Sequence, residues 1–262
     1  MKTLLSIFFC GIFSGLTAQD TIPEKIVHYK NNILIQDELS FSIKNSPNPS
    51  HFASIEYGHR FKNLPVIARF NYTNRFNLDA TQLEVELYPS LSKKVYCSFN
   101  AGYSNAVLFP DYKAGGSVYF TLPKAFEIEG GFRYLHYPDP AIIYLGSLGK
   151  YYKRFWFNIG GYFTPAHGKL FTSYVFKTRY YTSDENYFFL LLGKGISPDD
   201  KKYLNNIVYN ANFNTYTVES GIEMKLSKRF VWKGKIGLLY QQGNESAYSN
   251  QFITGLGLKY LF

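Results

Sequence analysis

Apolar and polar residues alternate with a period of two along most of the chain, in segments of roughly ten to fourteen residues. This period is typical of β-strands with one apolar and one polar face, whereas an amphipathic helix repeats every 3.6 residues. Turn-forming residues separate the segments, so the pattern predicts an all-β protein with fourteen strands. We place them at residues 33–43, 51–61, 65–75, 79–89, 93–104, 112–122, 125–136, 140–150, 153–163, 169–182, 185–196, 211–226, 229–242 and 249–262.

The last segment suggests where such a sheet is located. Its predicted apolar face carries Phe252, Thr254, Leu256, Leu258, Tyr260 and Phe262, and the sequence ends on that phenylalanine. A terminal aromatic residue preceded by apolar residues at even spacings resembles the signal by which the barrel-assembly machinery recognises outer-membrane β-barrels. We therefore predict Leu258, Tyr260 and Phe262 as an insertion signal.

The connections between the predicted strands alternate in length. Short turns are expected near 62–64, 90–92, 123–124, 151–152, 183–184 and 227–228, and longer loops lie between them, notably at 105–111 and 197–210. Bacterial outer-membrane barrels have an even number of strands, short periplasmic turns and longer outer loops. The pattern thus predicts a transmembrane antiparallel barrel with both termini in the periplasm. Closure is required because lipid offers no hydrogen-bond partner to an open sheet edge.

The predicted inward face carries a belt of charged residues. Those we expect to line the lumen are Glu56, Arg69, Glu84, Glu86, Glu127, Glu129, Arg133, Lys177, Arg179, Glu223 and Lys233. Folding the strands about their turns places Glu56 opposite Arg69, Arg69 opposite Glu84 or Glu86, and Glu223 opposite Lys233. Two interpretations remain: a largely closed interior cross-linked by ion pairs, or a narrow aqueous passage with a weak preference for anions.

The N-terminal residues have the composition of an export signal. Lys2 precedes an apolar run from Leu4 to Leu16, and Thr17-Ala18-Gln19 is a plausible processing site. The expected organisation is a signal peptide at 1–19, a short periplasmic lead-in at 20–32 and a barrel at 33–262. Removing the signal would leave Cys97 as the only cysteine, which excludes an intrachain disulfide.

Composition narrows the functional classes further. The mean hydropathy of −0.18 excludes several transmembrane helices, each of which needs about 20 consecutive apolar residues. The formal net charge is +9, but the basic residues are scattered along the chain, so we expect no nucleic-acid partner. Outer-membrane lipid and lipopolysaccharide are the expected surroundings of such a charge in an exported protein.

Candidate catalytic residues are sparse. Some outer-membrane barrels hydrolyse lipid with a Ser-His pair, but the best pairing, His136 with Ser147, places the two near opposite ends of adjacent predicted strands. The acid pairs Glu84/Glu86 and Glu127/Glu129 have a spacing of two, which on a strand means only a shared face. Because no metal-ligand spacing or phosphate-binding motif is present, we expect neither a cofactor nor an enzyme.

Several separated motifs in order resemble the YaiO-type outer-membrane β-barrel family over residues 50 to 262. They are Gln82-x-Glu84-x-Glu86-x-Tyr88-Pro89, Gly102-Tyr103-Ser104, Phe109-Pro110, Gly131-Phe132-Arg133-Tyr134, Gly146-Ser147-Leu148-Gly149-Lys150-Tyr151, Arg179-Tyr180 and Gly193-x-Gly195-Ile196-Ser197-Pro198. The resemblance implies an outer-membrane barrel and supplies no substrate or catalytic residue. Three functional hypotheses follow: a narrow or gated conduit for a solute or surface polysaccharide, a non-transporting structural or accessory surface barrel, and a lipid hydrolase.

Overall fold

Fourteen antiparallel strands form the protein. The computed structural model describes residues 29–42, 49–62, 64–75, 77–138, 140–166, 168–195, 215–242 and 248–262. The strands are β1 (Asn31–Ser42), β2 (Ser50–Phe61), β3 (Leu64–Arg75), β4 (Leu78–Leu87), β5 (Val95–Tyr103), β6 (Tyr112–Leu122), β7 (Phe126–His136), β8 (Ala141–Tyr152), β9 (Phe155–Ala166), β10 (Lys169–Tyr181), β11 (Tyr187–Lys194), β12 (Thr215–Lys225), β13 (Phe230–Gln242) and β14 (Tyr248–Leu261). The described residues include no helix long and apolar enough to cross a bilayer.

Each strand pairs with its sequence neighbours, and β1 pairs with β14, so the sheet closes into a barrel. At the seam, the Asn31 amide donates to the Phe262 carbonyl at 2.9 Å and the Phe262 amide donates to the Asn31 carbonyl at 3.0 Å. The end of the barrel that carries these two residues is called the terminal end, and the opposite end is called the loop end. The predicted fold class, an all-β closed barrel of fourteen strands, is confirmed.

The predicted strand limits differ from the observed ones by a few residues. The turn expected at 151–152 lies at Lys153 and Arg154 instead, because Tyr151 and Tyr152 continue the alternation of β8 and Lys153 adopts a positive φ of 51°. β1 begins at Asn31, inside the predicted lead-in. The predicted signal at 1–19 and the outer loop at 197–210 lie outside the described residues.

The outward face of the barrel is apolar between two rings of aromatic side chains. At the terminal end, rings pack between neighbouring strands, with centroids 4.9 Å apart for Phe155 and Tyr180 and 5.1 Å for Phe230 and Tyr260. At the loop end, Tyr103 and Tyr112 are 5.4 Å apart. Exposed aliphatic residues such as Ile55, Leu83, Ile159, Ile236 and Leu256 lie between the rings. An apolar band between aromatic girdles is the surface that a lipid bilayer requires.

Two features at the loop end narrow the interior. The loop between β5 and β6 folds inward, where Phe109 is 1% exposed and packs with Leu108 against Ala80 and Phe52 on the inner wall. On the wall formed by β7 to β9, Leu135, Tyr137 and Ile143 form a second buried cluster, against which Tyr162 packs. The charged belt therefore lies beneath apolar contacts that occupy part of the cross-section. We therefore look for the functional site in the lumen.

Candidate functional site: the barrel lumen

Arg69 is the centre of the largest ion-pair network on the inner wall. The register pairs it with Glu56 on β2 and Glu84 on β4. Its guanidinium nitrogens contact carboxylate oxygens of Glu56 at 2.8 Å, Glu84 at 2.8 Å and Glu86 at 2.9 Å. The Arg69 side chain is 14% exposed and that of Glu84 is 3% exposed. One buried cation thus holds three carboxylates, and charge-assisted bonds of this kind are the strong ones.

Neutral donors complete the same network. The Asn71 amide donates to Glu84 at 2.8 Å, and the Tyr88 hydroxyl donates to Glu86 at 2.5 Å. Tyr88 lies just beyond β4, where burial and the neighbouring Glu86 carboxylate raise the pKa of its hydroxyl above the usual range. Tyr88 therefore remains a neutral hydrogen-bond donor at physiological pH.

A glycine allows Lys113 to reach this network across an intervening strand. Gly102 on β5 is paired with both Glu84 on β4 and Lys113 on β6. Because Gly102 has no side chain, the Lys113 stem passes over it and the ammonium group forms an ion pair with Glu84. A Cβ at position 102 would lie 2.7 Å from Lys113 Cε and 2.9 Å from Cγ. The same arrangement recurs where Lys235 crosses Gly255 to reach Glu38.

We expect Gly102→Ala to lower the free energy of unfolding by about 1–3 kcal/mol, because the new methyl group displaces the Lys113 stem from Glu84. Urea unfolding of the detergent-solubilised protein measures the change. Gly130→Ala is the matched control, since Gly130 has no atom within 4 Å of its would-be Cβ. Equal unfolding midpoints for the two variants would show that the close approach at Gly102 is unimportant.

A second acidic pair is held by hydroxyl groups. Tyr96 donates to Glu127 at 2.5 Å, Tyr119 donates to Glu129 at 2.7 Å, and Ser147 donates to Glu129 at 2.9 Å. The rings of Tyr96 and Tyr119 stack at 4.6 Å. Within the described strands, neither carboxylate is within 4.0 Å of a basic nitrogen, so neutral donors replace the ion pairs of the first network.

Two of the predicted basic residues, Arg133 on β7 and Arg179 on β10, lie against aromatic rings. The Arg179 guanidinium carbon is 4.9 Å from the ring centroids of both Trp156 and Tyr187. Arg133 lies 5.8 Å from the ring of Tyr162. Lys177 occupies the inward position of β10 two residues before Arg179. Cation–π contacts of this kind stabilise a partly desolvated cation.

The wall formed by β11 to β14 and β1 carries a third group of charges. Lys233 contacts Glu223 at 2.9 Å, and the Tyr187 hydroxyl donates to Glu223 at 2.8 Å. Lys235 forms an ion pair with Glu38 and approaches Glu219 at 3.7 Å. Opposite charges on neighbouring strands are thus matched on this wall as well.

A cavity of about 260 Å³ lies beside this group. Its polar lining includes Gln36, Glu38, Ser40, Ser50, Thr73, Arg75, Glu223, Lys233 and Lys235, and its aromatic lining includes Phe52, Tyr187 and Phe189. Tyr187 is the first residue of β11, at the terminal end, and Arg75 is the last residue of β3, at the loop end. The cavity therefore includes wall positions from both ends of the barrel.

Several lumen residues were not among the sequence-predicted set. Glu38 shares the inward face of β1 with Asn32, Leu34 and Ser40, and the alternation in that strand could have identified it. The hydroxyl donors Tyr96 and Tyr119 also lie at inward positions. Their role depends on partners one strand away, which alternation alone does not specify.

The candidate catalytic pair is separated by the wall. Ser147 points inward and donates to Glu129, whereas His136 is on the outward face beside Tyr134, 3.2 Å from its hydroxyl. Two side chains on opposite faces of a sheet cannot form a nucleophile–base pair. Among the described residues, no group of three or more His, Cys, Asp and Glu side chains is placed to hold a metal ion.

Of the predicted insertion-signal residues, Leu258 and Tyr260 lie on the outward face of β14 and Phe262 directly follows its last residue. Leu258 and Phe262 are exposed, and the rings of Tyr260 and Phe262 stack at 5.6 Å. Tyr260 also packs against Phe230 on β13. These residues therefore form a continuous apolar and aromatic row on the outer surface, beside the seam where the barrel closes.

Comparison with solved structures finds similar folds among outer-membrane proteins. The Acinetobacter baumannii outer membrane protein Omp33 aligns with a TM-score of 0.55 and 11% identity, covering 89% of this chain and 98% of that chain. The CymD monoaromatic hydrocarbon channel aligns with a TM-score of 0.56 and 7% identity, covering 90% and 89%. The KdgM porin in complex with disordered oligogalacturonate aligns with a TM-score of 0.50 and 10% identity, covering 88% and 99%. At these identities the likeness shows the fold alone.

Sequence comparisons give the family. No curated protein matches the sequence significantly. The model of the YaiO membrane beta barrel domain matches residues 30–200, which is more than half of the chain. The apolar band, the closed fourteen-stranded sheet and this match agree, and the resemblance noted from the motifs is confirmed. The chain belongs to the YaiO membrane beta-barrel family and is an integral protein of the outer membrane.

Proposed function

We propose that the barrel is a narrow conduit for a small solute across the outer membrane. The observation that carries the proposal is the lumenal cavity, whose lining extends from Tyr187 at the terminal end to Arg75 at the loop end. The terminal end is the one predicted to face the periplasm, and the loop end is the one predicted to face outward. A barrel of about 8 strands is filled by side chains and one of about 16–18 leaves an open channel, so fourteen strands suit a restricted passage.

The charges of the inner wall favour anions slightly over cations. Inward charged positions on the described strands are Glu38, Glu56, Glu84, Glu86, Glu127, Glu129, Glu219 and Glu223, with Arg60, Arg69, Arg75, Lys113, Arg133, Lys169, Lys177, Arg179, Lys225, Lys233, Lys235 and Lys259. Basic groups outnumber carboxylates in this set, and a lumen with excess positive charge raises the local concentration of small anions. Because many of these charges are paired, the preference is weak.

Single-channel recording in planar bilayers tests the conduit. We expect discrete conductance steps and a reversal potential in a salt gradient that indicates modest anion preference. Arg75→Gln is expected to reduce that preference, because Arg75 lines the outer end of the cavity. Lys228→Gln, in an exposed periplasmic turn, is the control and should leave the reversal potential unchanged.

Other outcomes would support the alternative functions. A protein that is electrically silent yet shows the heat-modifiable gel mobility of a folded barrel would favour a structural or accessory role. Release of fatty acid from phospholipid or lipopolysaccharide by the folded protein would favour a lipid hydrolase. Two of the similar structures named above are a porin and a channel, and the separation of His136 from Ser147 also supports passage over catalysis.

Insertion is the second part of the proposal. The outward row of Leu258, Tyr260 and Phe262 lies on the strand that closes the barrel against β1. We propose that the barrel-assembly machinery recognises this strand before closure, while its edge is unpaired. Outer-membrane lipid and lipopolysaccharide then surround the apolar band.

A further inference from the structure

The two lysines that line the lumenal cavity are neutralised by carboxylates. Lys233 is held by Glu223 at 2.9 Å, and Lys235 is held by Glu38 with Glu219 at 3.7 Å. Each ammonium group thus has a carboxylate partner within the same wall. An anionic solute that approaches either lysine would have to displace the carboxylate partner or leave its own charge facing that carboxylate. Both cost free energy in a partly desolvated site.

Hydroxyl groups also line the cavity, on Ser40, Ser50 and Thr73. Ser40 donates to Gln251 at 2.9 Å, Thr73 donates to the His51 carbonyl at 2.8 Å, and Arg75 donates to the Ser50 hydroxyl at 3.3 Å. Each hydroxyl oxygen retains acceptor capacity beyond the bond described. Together with the ion pairs, they present donors and acceptors at short intervals around one small volume.

Aromatic side chains complete the lining. Phe52, Tyr187 and Phe189 all line the cavity, and Phe189 lies over Gly221, where a Cβ would be 2.5 Å from Phe189 Cε1. The absence of a side chain at 221 lets the ring lie close to the wall. Aromatic faces carry partial negative charge and attract C–H groups, which are the apolar faces of a sugar ring.

We propose that the cavity binds an uncharged, polyhydroxylated ring, such as one unit of a neutral saccharide. Vicinal hydroxyls donate to carboxylates and accept from ammonium groups at the same time, so a sugar engages a Lys–Glu pair without unpairing it. The cavity of about 260 Å³ has room for a sugar ring. If the barrel is a conduit, a neutral sugar is the class of solute that it would carry. Binding of the sugar in the cavity does not itself depend on conduction, and the inference rests on the proposed function only for the route by which the sugar reaches the cavity.

Equilibrium binding to the purified full-length protein in detergent tests the proposal without reference to conductance. Titration calorimetry with D-glucose, D-galactose and their disaccharides is expected to show saturable binding. D-glucuronate and D-glucosamine, which add one charge to the same ring, are expected to bind about tenfold more weakly, equivalent to about 1.4 kcal/mol. Competition between glucose and galactose should show one shared site.

Substitutions locate the site. Phe189→Leu keeps an apolar side chain over Gly221 but removes the aromatic face, and we expect it to weaken sugar binding severalfold. Ser147→Ala is the matched control, because Ser147 faces the lumen on β8 and does not line the cavity.

The outcomes separate this inference from the proposed conduit. Tighter binding of glucuronate than of glucose, no saturable binding by any sugar of the panel, or unchanged binding by Phe189→Leu would each overturn the inference. Sugar binding by a protein that is silent in bilayers would support the inference and count against the conduit. Conductance without sugar binding would do the reverse.

Discussion

Replacing Arg69 by methionine is expected to lower the free energy of unfolding by about 3–5 kcal/mol, the usual cost of removing one partner from a buried ion pair. Glu56, Glu84 and Glu86 all contact the Arg69 guanidinium at 2.8 to 2.9 Å. Without the guanidinium, the three carboxylates would repel one another. Lys113 would still form its ion pair with Glu84. Urea unfolding in detergent, followed by gel mobility, measures the loss.

Two comparisons test whether carboxylate repulsion is the cause. Adding Glu84→Gln to Arg69→Met should recover part of the stability, since it removes one of the repelling charges. Arg229→Met makes the same chemical change in an exposed turn and should leave the unfolding midpoint near that of the unsubstituted protein. An Arg69→Met protein as stable as the Arg229→Met protein would contradict the role assigned to the network.

The strand pattern and much of the register follow from the sequence for a simple physical reason. In a barrel wall between lipid and a polar lumen, successive residues of each strand must alternate between apolar and polar. A shift of the strand by one position would therefore place charged side chains in hydrocarbon. Opposite signs on neighbouring strands then select among registers, as in the pairing of Glu56 with Arg69 and of Glu223 with Lys233. The constraint is strong because it acts on every residue of every strand.

Contacts that bridge more than one strand are much harder to predict. The approach of Lys113 to Glu84 depends on the glycine between them, and that of Lys235 to Glu38 depends on Gly255. Each needs the register of two ladders together with the absence of a side chain at the middle position. A glycine at an inward position flanked by opposite charges on both neighbouring strands is the sequence signal that would have indicated such contacts.

The alternation of apolar and polar residues also could not predict that the β5–β6 loop folds inward. Residues 105–111 have no period, and the pattern predicted only that they form a longer outer loop. The position of Phe109 is fixed by Ala80 and Phe52, which lie on strands that precede the loop by many residues. Burial of one large apolar ring then decides whether the loop covers the lumen or extends away from it.

This dependence on one ring gives the second large effect. Phe109→Ser is expected to release the β5–β6 loop from the inner wall and to raise the single-channel conductance about twofold or more. The reason is that the loop would no longer obstruct a lumen of intermediate width. The Phe109 side chain is 1% exposed, and placing a polar hydroxyl in that apolar contact removes the burial that anchors the loop. Planar-bilayer recording measures the conductance, and limited proteolysis measures the exposure of the loop.

Val107→Ser is the matched control, since Val107 belongs to the same loop and is 64% exposed. It makes the loop more polar without removing a buried contact, so conductance and protease resistance should both stay at their original values. If Phe109→Ser makes the loop protease-sensitive while conductance does not change, the loop is not the element that restricts the lumen. The buried cluster of Leu135, Tyr137 and Ile143 on β7 to β9 would then be the constriction, because it narrows the same end of the barrel.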